Sequence, residues 1–171
     1  MDADDYTDGS DLVAKHNNVV MTRTFSKLFG LAALRIGWAY ASAEVIDILN
    51  RVRGPFNVSV PAQAAATAAL DDWDWAMDAK QLNNRLLPAV TQRLRGMGLR
   101  VYDSVGNFIL IDFEDADRSV AADEYLRSQG IIGRGVAGYG LPTCLRMTIG
   151  TEEDMDFLTE ALTRFIESQG A

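Results

Sequence analysis

Two periods of hydrophobic and polar residues run along this chain and together predict an α/β protein. Short runs rich in β-branched and aromatic residues are typical of strands, and longer stretches with apolar residues three or four positions apart are typical of helices. The predicted strands cover residues 19–25, 34–41, 99–102, 108–113, 131–136 and 144–149. The predicted helices cover residues 12–18, 42–53, 61–70, 74–97 and 119–128, and a last one begins at Thr151.

Turn and cap residues set the ends of several elements. Gly30 lies between the first two strands in a gap too short for a helical crossover, so we expect a hairpin or neighbouring pairing. Ser42 is a suitable N-cap, and Thr151 with Asp154 forms a capping pair for the last helix. Pro88 is expected to bend or restart the long fourth helix. One face of the second helix carries Val45, Ile48, Leu49 and Val52. The last helix is expected to face the core with Met155, Leu158, Leu162 and Phe165.

The pattern changes in its second half to short strands mixed with helices, which predicts a second domain of the α+β type. We place the change around residues 71–80, so that the long helix bridges two units. The expected domains are residues 1–75 and residues 76–171.

Charge and composition exclude several function classes. A net charge of −8 is unfavourable for binding nucleic acid or an anionic membrane surface. Cys144 is the only cysteine and His16 the only histidine, so a disulfide framework, a zinc cluster and a Ser-His-Asp triad are not expected. Cys144 is expected to be a buried, inert thiol. No apolar run approaches the ~18 residues of a membrane span, and the N-terminus is acidic, so we expect a cytoplasmic protein.

The segment at 21–40, MTRTFSKLFGLAALRIGWAY, contains the best candidate for catalysis. Lys27 is the one lysine of three with apolar neighbours extending in both directions. These neighbours predict that Lys27 is buried. Burial favours the neutral amine, which is the form that Schiff-base chemistry requires. Arg35 also has apolar neighbours, so we expect it to be buried and to need an anion such as carboxylate or phosphate. With the hydroxyls of Thr24 and Ser26, these groups suit a phosphorylated aldehyde, pyridoxal phosphate.

The same residues resemble a known family. RTFSKLFGLAALRIG is similar to the cofactor-lysine motif of fold-type-I pyridoxal-phosphate (PLP)-dependent aminotransferases, with hydroxyl-x-x-Lys followed by Arg at plus eight, and most of all to the histidinol-phosphate aminotransferase branch. The resemblance implies the C-terminal portion of the aspartate aminotransferase-like fold: a partial large domain that holds PLP on Lys27, and a small α+β domain. It implies that Thr24, Ser26 and Arg35 hold the cofactor phosphate.

The resemblance also implies an activity, the transfer of an amino group between a substrate such as histidinol phosphate or an aromatic amino acid and a 2-oxo acid. It covers nearly the whole chain but only the C-terminal half of the family's usual chain, so we expect a truncated chain. The aspartate at the pyridinium nitrogen, the stacking ring and the asparagine at the cofactor hydroxyl are not assigned to Asp2, Asp5 or Tyr6. Half of a parallel sheet would expose an edge, which favours pairing with a second copy as a homodimer.

Two more arginines lie in apolar or glycine-rich segments. Arg146 in CLRMTIG is predicted to be mid-strand, where an arginine needs an anion from the protein or from a substrate. An ion pair with Asp112 or Glu114 is one explanation. The resemblance implies instead that Arg146 binds the substrate carboxylate and that Arg134, in IIGRGVAGYG, contacts a substrate phosphate.

Asn107 also falls on a recurring family position for substrate binding, although turn geometry explains an asparagine there equally well. Two other functions stay open at this point. One is a non-catalytic, dimerising remnant of the fold, and the other is a related PLP-dependent decarboxylase of a phosphorylated amino acid.

Overall fold

The computed structural model describes residues 6–169. The chain divides into two compact units, Asp2–Lys80 and Gln81–Ala171. The division falls inside one long helix, α4 (Trp73–Gly96), which contributes to both units.

The N-terminal unit is built on a two-stranded hairpin. Its helices before α4 are α1 (Gly9–Lys15), α2 (Ala43–Val52) and α3 (Val60–Asp71), and its strands are β1 (Val20–Thr24) and β2 (Gly37–Ala41). The two strands pair antiparallel, from Val20 opposite Ala41 to Thr24 opposite Gly37. A Cβ atom at Gly37 would lie 2.5 Å from the Arg23 carbonyl oxygen, so this close pairing requires glycine. The hairpin prediction is confirmed.

The cap predicted for α2 is confirmed, but burial of its apolar face is not found. The Ser42 hydroxyl accepts a hydrogen bond from the Val45 N–H at 3.5 Å. On the predicted apolar face, Ile48, Leu49 and Val52 are 50%, 41% and 73% exposed. Helical periodicity identifies a face that favours burial, but it does not supply the surface that would cover it.

The C-terminal unit holds an antiparallel sheet and most of the hydrophobic core. Its strands are β3 (Arg100–Val101), β4 (Phe108–Asp112), β5 (Arg134–Val136) and β6 (Leu141–Thr148), in the order β3-β4-β6-β5. Its helices after α4 are α5 (Ala116–Ser128) and α6 (Glu152–Gln169). Because side chains alternate across a strand, one face of the sheet faces the helices. The core side chains of that face are Val101, Ile109, Ile111, Leu145 and Met147.

The last helix packs as predicted. Its buried residues include Met155, Leu158, Leu162 and Phe165. The Thr151 hydroxyl accepts from the Asp154 N–H, while the Asp154 carboxylate accepts from the Thr151 N–H at 2.9 Å, a reciprocal capping pair.

Helix α4 does not restart at Pro88, so the restart that was one of the two predicted effects of this proline is wrong, and a bend there stays a prediction. The helix is continuous from Trp73 to Gly96, with Pro88 in its interior. Leu86, Leu87 and Val90 are buried on either side of the proline. Their packing offsets the hydrogen bond that the proline cannot donate.

Among the described residues, no helix combines the length and the apolar character needed to cross a membrane. Residues 6–169 also contain no group of three or more His, Cys, Asp or Glu side chains placed to hold a metal ion.

Candidate active site

Lys27 lies in the loop that joins β1 to β2, three residues after the end of β1. The loop is closed at its base by a hydrogen bond from the Phe25 N–H to the Ile36 carbonyl at 3.2 Å. Within it, the Gly30 N–H donates to the Lys27 carbonyl at 2.9 Å, and Gly30 adopts a φ of 68°. This positive φ favours glycine and explains the turn predicted there.

The prediction of a buried lysine is wrong for this chain. Lys27 is exposed, although its neighbour Phe25 is only 5% exposed. The rings of Phe25 and Phe29 lie 4.9 Å apart, and Phe29 lies 6.0 Å from the ring of Trp73. The aromatic residues of the loop therefore pack together while Lys27, at the bend between them, faces solvent.

Two hydroxyl groups next to Lys27 are held together. The Thr24 hydroxyl donates to the Ser26 hydroxyl oxygen at 2.8 Å, and the Ser26 N–H donates to the Thr24 hydroxyl oxygen at 3.0 Å. These bonds form a small polar turn at the end of β1. The predicted pair of hydroxyls thus shares one local structure directly before the lysine.

Arg35 lies at the other end of the same loop, and it too is exposed rather than buried as its apolar neighbours suggested. It follows a short 3₁₀ turn, Ala32–Leu34, and has left-handed backbone angles of φ 51° and ψ 50°. Its Nη1 donates to the Ala32 carbonyl at 2.6 Å. A guanidinium carries five N–H donors. The bond from Nη1 to the backbone of the turn uses one of them and fixes the position of the group.

Arg134 and Arg146 come together in the C-terminal unit. They are direct partners across β5 and β6, so their side chains leave the same face of the sheet. Both line a cavity of about 560 Å³. The other residues around the cavity include Gly130, Gly133, Thr148, Asp154 and Phe157.

Among residues 6–169, neither of these two guanidinium groups forms an ion pair with a carboxylate. Within residues 6–169, no carboxylate oxygen lies within 4.0 Å of Arg134 or Arg146. The alternative of an ion pair between Arg146 and Asp112 or Glu114 is therefore not found. Asp112 instead lies 3.8 Å from Arg100, and it accepts from the Glu114 N–H at 2.9 Å.

Each arginine lies against an aromatic ring that was not predicted to belong to the site. The Arg146 Cζ is 5.2 Å from the ring centre of Phe108, and the Arg134 Cζ is 5.6 Å from that of Tyr139. Arg134 Nη2 also donates to the Tyr139 hydroxyl at 2.8 Å. The sequence offered a signal in both cases, because Phe108 directly follows the singled-out Asn107 and Tyr139 lies in the glycine-rich segment of Arg134.

Asn107 lies just before β4, and its side chain is exposed. Its carbonyl accepts from the Ile149 N–H at 2.9 Å, which extends the pairing of β4 with β6. This contact gives Asn107 a place in the sheet, and a role toward substrate stays a prediction. Asp2 and Asp5 lie outside the described residues, while the Tyr6 hydroxyl accepts from Arg23 Nη2 at 3.0 Å.

Comparison with known protein families identifies the family of this chain. The family model of aminotransferase class I and II matches residues 2–162, so the chain belongs to that family. This finding confirms the predicted resemblance and the predicted fold class.

Individual relatives carry a more specific name. The histidinol-phosphate aminotransferase of Rhodospirillum centenum (strain ATCC 51521 / SW) is 50% identical over 161 residues, which are 94% of this chain and 44% of that protein. The enzyme of the same name from Granulibacter bethesdensis is 47% identical, with 97% of this chain and 45% of that protein covered. The chain thus spans a little under half the length of these curated relatives.

A solved structure with the same name as these relatives is also similar to this chain. The crystal structure of histidinol-phosphate aminotransferase from Sinorhizobium meliloti in complex with pyridoxal-5'-phosphate matches with a TM-score of 0.79 at 32% identity, covering 90% of this chain and 42% of that one.

Proposed function

We propose that this chain is the part of a PLP-dependent aminotransferase that carries the cofactor lysine and the substrate-binding arginines. The reaction transfers an amino group between a substrate of the histidinol phosphate or aromatic amino acid type and a 2-oxo acid. Support comes from family membership and from relatives named histidinol-phosphate aminotransferase. The observation that carries the proposal is the exposed amine of Lys27 directly after the paired hydroxyls of Thr24 and Ser26.

The donor set around Lys27 fits PLP. Thr24 and Ser26 offer hydroxyls and Arg35 offers a charged fork, which suit the phosphate, and a primary amine suits the aldehyde. When bound, the cofactor supplies an aldehyde that captures amines and a ring that accepts electrons. As a free and uncharged amine, the Lys27 Nζ would take the proton from the substrate α-carbon. An exposed amine is open to the approach of the cofactor.

The pair of arginines fits a substrate with two anionic groups. Arg146 is half-buried and would bind the carboxylate that all amino-acid and 2-oxo-acid substrates share. Arg134 is more exposed and would bind the phosphate of histidinol phosphate. Like charges directly opposite each other in a sheet are destabilising. Two arginines that line one cavity and have no ion-pair partner among residues 6–169 therefore favour an anionic ligand there. Asn107 is proposed as a further substrate contact.

Several further assignments belong to the same proposal. Residues 1–75 correspond to the partial cofactor-binding domain and residues 76–171 to the small domain, and a division between Lys80 and Gln81 supports a boundary inside α4. The protein is expected to be a homodimer, to lie in the cytoplasm and to take part in amino-acid biosynthesis. Its partners are small amino-acid and 2-oxo-acid substrates, not nucleic acid or membrane.

Trapping of the cofactor on Lys27 tests the proposal. The full chain is mixed with PLP, and the visible absorbance of an imine is recorded. The imine bond is then reduced with borohydride before peptide mapping. We expect the label on Lys27 and its loss in Lys27→Ala. Lys15→Ala, at the exposed end of α1, is the matched control and should keep both the absorbance and the label.

Two outcomes would change the assignment. A chain that takes no label on Lys27 would fit the non-catalytic remnant. A labelled chain that releases carbon dioxide from a phosphorylated amino acid, with no need for a 2-oxo acid, would fit the decarboxylase.

A further inference from the structure

We infer that Phe108 is a positioning residue for Arg146, and that Asn83 holds the loop from which Phe108 extends. The inference rests on the proposed function, because it takes Arg146 as the group that binds the substrate carboxylate. The Phe108 ring would orient this arginine before substrate arrives.

An arginine that must bind an anion needs a neighbour that orients its guanidinium but does not neutralise the positive charge. A carboxylate partner would orient the guanidinium, but it would also occupy the donors and compete with the substrate. An aromatic ring attracts the cation through its face and leaves the N–H donors available. Arg146 has the second kind of support, with its Cζ 5.2 Å from the centre of the Phe108 ring. Because Arg146 is half-buried, this attraction is less screened by water than at an exposed pair.

The strand register places the ring beside the arginine. Phe108 is paired with Thr148, and Arg146 is paired with Leu110 two residues further along β4. Phe108 and Arg146 are therefore diagonal neighbours on the same face, a separation that aromatic and long side chains can bridge.

The loop before β4 is built so that the ring can occupy this place. The Ser104 hydroxyl donates to the Phe108 carbonyl at 2.6 Å and accepts from the Gly106 N–H at 3.1 Å. A Cβ atom on Gly106 would lie only 3.0 Å from Cε1 of the Phe108 ring. A larger residue at position 106 would therefore press on the ring and displace it.

Asn83 connects this loop to α4. Its Nδ2 donates to the Gly106 carbonyl at 3.1 Å. Its Oδ1 is buried and has no hydrogen-bond partner within the described part of the chain. A buried amide oxygen without a partner is costly. Asn83 thus has a costly unpaired Oδ1, while its Nδ2 holds the loop before β4. This arrangement is expected if the position of that loop matters.

Binding of 2-oxoglutarate to the full chain, measured by titration calorimetry, tests the inference. Phe108→Leu removes the ring but keeps an apolar side chain, and we expect about threefold to tenfold weaker binding. Phe108→Tyr keeps the ring and should bind within about twofold of the unaltered chain. Asn83→Ala should weaken binding about twofold to fivefold through loss of one hydrogen bond.

A second readout reports the contact itself. The ring current of Phe108 should shift the NMR signals of the Arg146 side chain, and Phe108→Leu should remove this shift in the absence of ligand. Tyr102→Leu is the matched control, because Arg100 lies 5.1 Å over the ring of Tyr102 on the same sheet but does not line the cavity. This variant should lose stability and keep its affinity for 2-oxoglutarate.

The outcomes separate the inference from the proposed function. If the unaltered chain does not bind 2-oxoglutarate, or Arg146→Ala binds it equally well, the proposed carboxylate site fails and the inference fails with it. If Arg146→Ala loses binding while Phe108→Leu binds normally, only the inference is overturned. Equal losses in Phe108→Leu and Phe108→Tyr would also overturn it, since the ring would then not be the cause.

Discussion

Asp112 shows how this protein keeps a charge inside a sheet. It lies on β4 and is only 6% exposed. Burial by itself raises its pKa, but hydrogen bonds from the Thr143 hydroxyl and the Glu114 N–H lower it. The Tyr102 hydroxyl at 2.9 Å and the guanidinium of Arg100 act in the same direction, so that the pKa lies below the ordinary 3.8.

This lowered pKa predicts a pH dependence of stability. Because Asp112 has a lower pKa in the folded than in the unfolded chain, its charge stabilises the fold above pH 3.8, and this contribution is lost as the pH falls through the folded pKa. Asp112→Asn should lower the free energy of unfolding by about 1–3 kcal/mol at pH 7. Urea unfolding at pH 7 and at pH 3 should show this difference shrinking at the lower pH.

Asp103→Asn is the control for that experiment. Asp103 pairs with Arg95 at 2.8 Å, but its side chain is 96% exposed, and such surface pairs contribute little. It should change stability only slightly at either pH. A difference for Asp112→Asn that stays constant from pH 7 to pH 3 would contradict the assigned pKa direction.

At the scale of residues, the sequence predicted chemical types better than environments. It singled out Thr24, Ser26 and Lys27 by type and spacing, and the structure places them in one local turn. It predicted burial for Lys27 because its neighbours are apolar, yet Phe25 and Phe29 pack together and leave Lys27 at the bend outside. Local composition does not say on which side of a loop each residue lies.

At the scale of elements, Pro88 is the residue whose place in α4 is least favourable. A proline in a helix interior removes one hydrogen bond and crowds the preceding turn. Pro88 is exposed, so its ring contributes little packing of its own. Pro88→Ala should therefore raise the free energy of unfolding by about 1–3 kcal/mol.

Thermal unfolding followed by circular dichroism measures this effect. Ala89→Ser, at the exposed neighbouring position, serves as the control and should be close to neutral or slightly destabilising. An unchanged or lowered melting temperature for Pro88→Ala would show that the helix gains from the proline in some other way.

Element positions could be predicted because periodicity and caps are local. The caps at Ser42 and at Thr151 with Asp154, and the order of strands and helices, needed only neighbouring residues. Strand ends were less well predicted, as with β5, which begins at Arg134 rather than at residue 131. The pairing of Arg134 with Arg146 could not be predicted, because register depends on contacts between residues far apart in the chain.

At the scale of the whole molecule, the two units differ in how much apolar surface they bury. In the part of the chain that the structure describes, the largest fully buried side chains all belong to the C-terminal unit, between Leu94 and Leu162. In the N-terminal unit several large apolar side chains are exposed instead. They include Trp38, Tyr40, Ile48, Val52, Phe56 and Val60.

Exposed apolar surface of this kind favours association, in line with the proposed homodimer. Tested separately, Ile48→Lys and Val52→Lys each place a charge on the exposed face of α2. Each should weaken association at least about tenfold, since roughly 1–2 kcal/mol of apolar burial is lost in both protomers. Sedimentation equilibrium over a range of concentrations measures this. Val120→Lys, on α5 and 56% exposed, is the control that should leave association unchanged. A monomeric mass at every concentration for the unaltered chain would contradict the homodimer.

The position of Cys144 gives the C-terminal unit an internal reporter. The thiol is 1% exposed and lies on β6, the strand that pairs with both β4 and β5. Because the chain has a single cysteine, any reaction with a thiol-specific dye reports one site. The dye can reach the sulfur only after β6 separates from its neighbours or its covering side chains move away, so the labelling rate under native conditions follows how often the centre of this sheet opens.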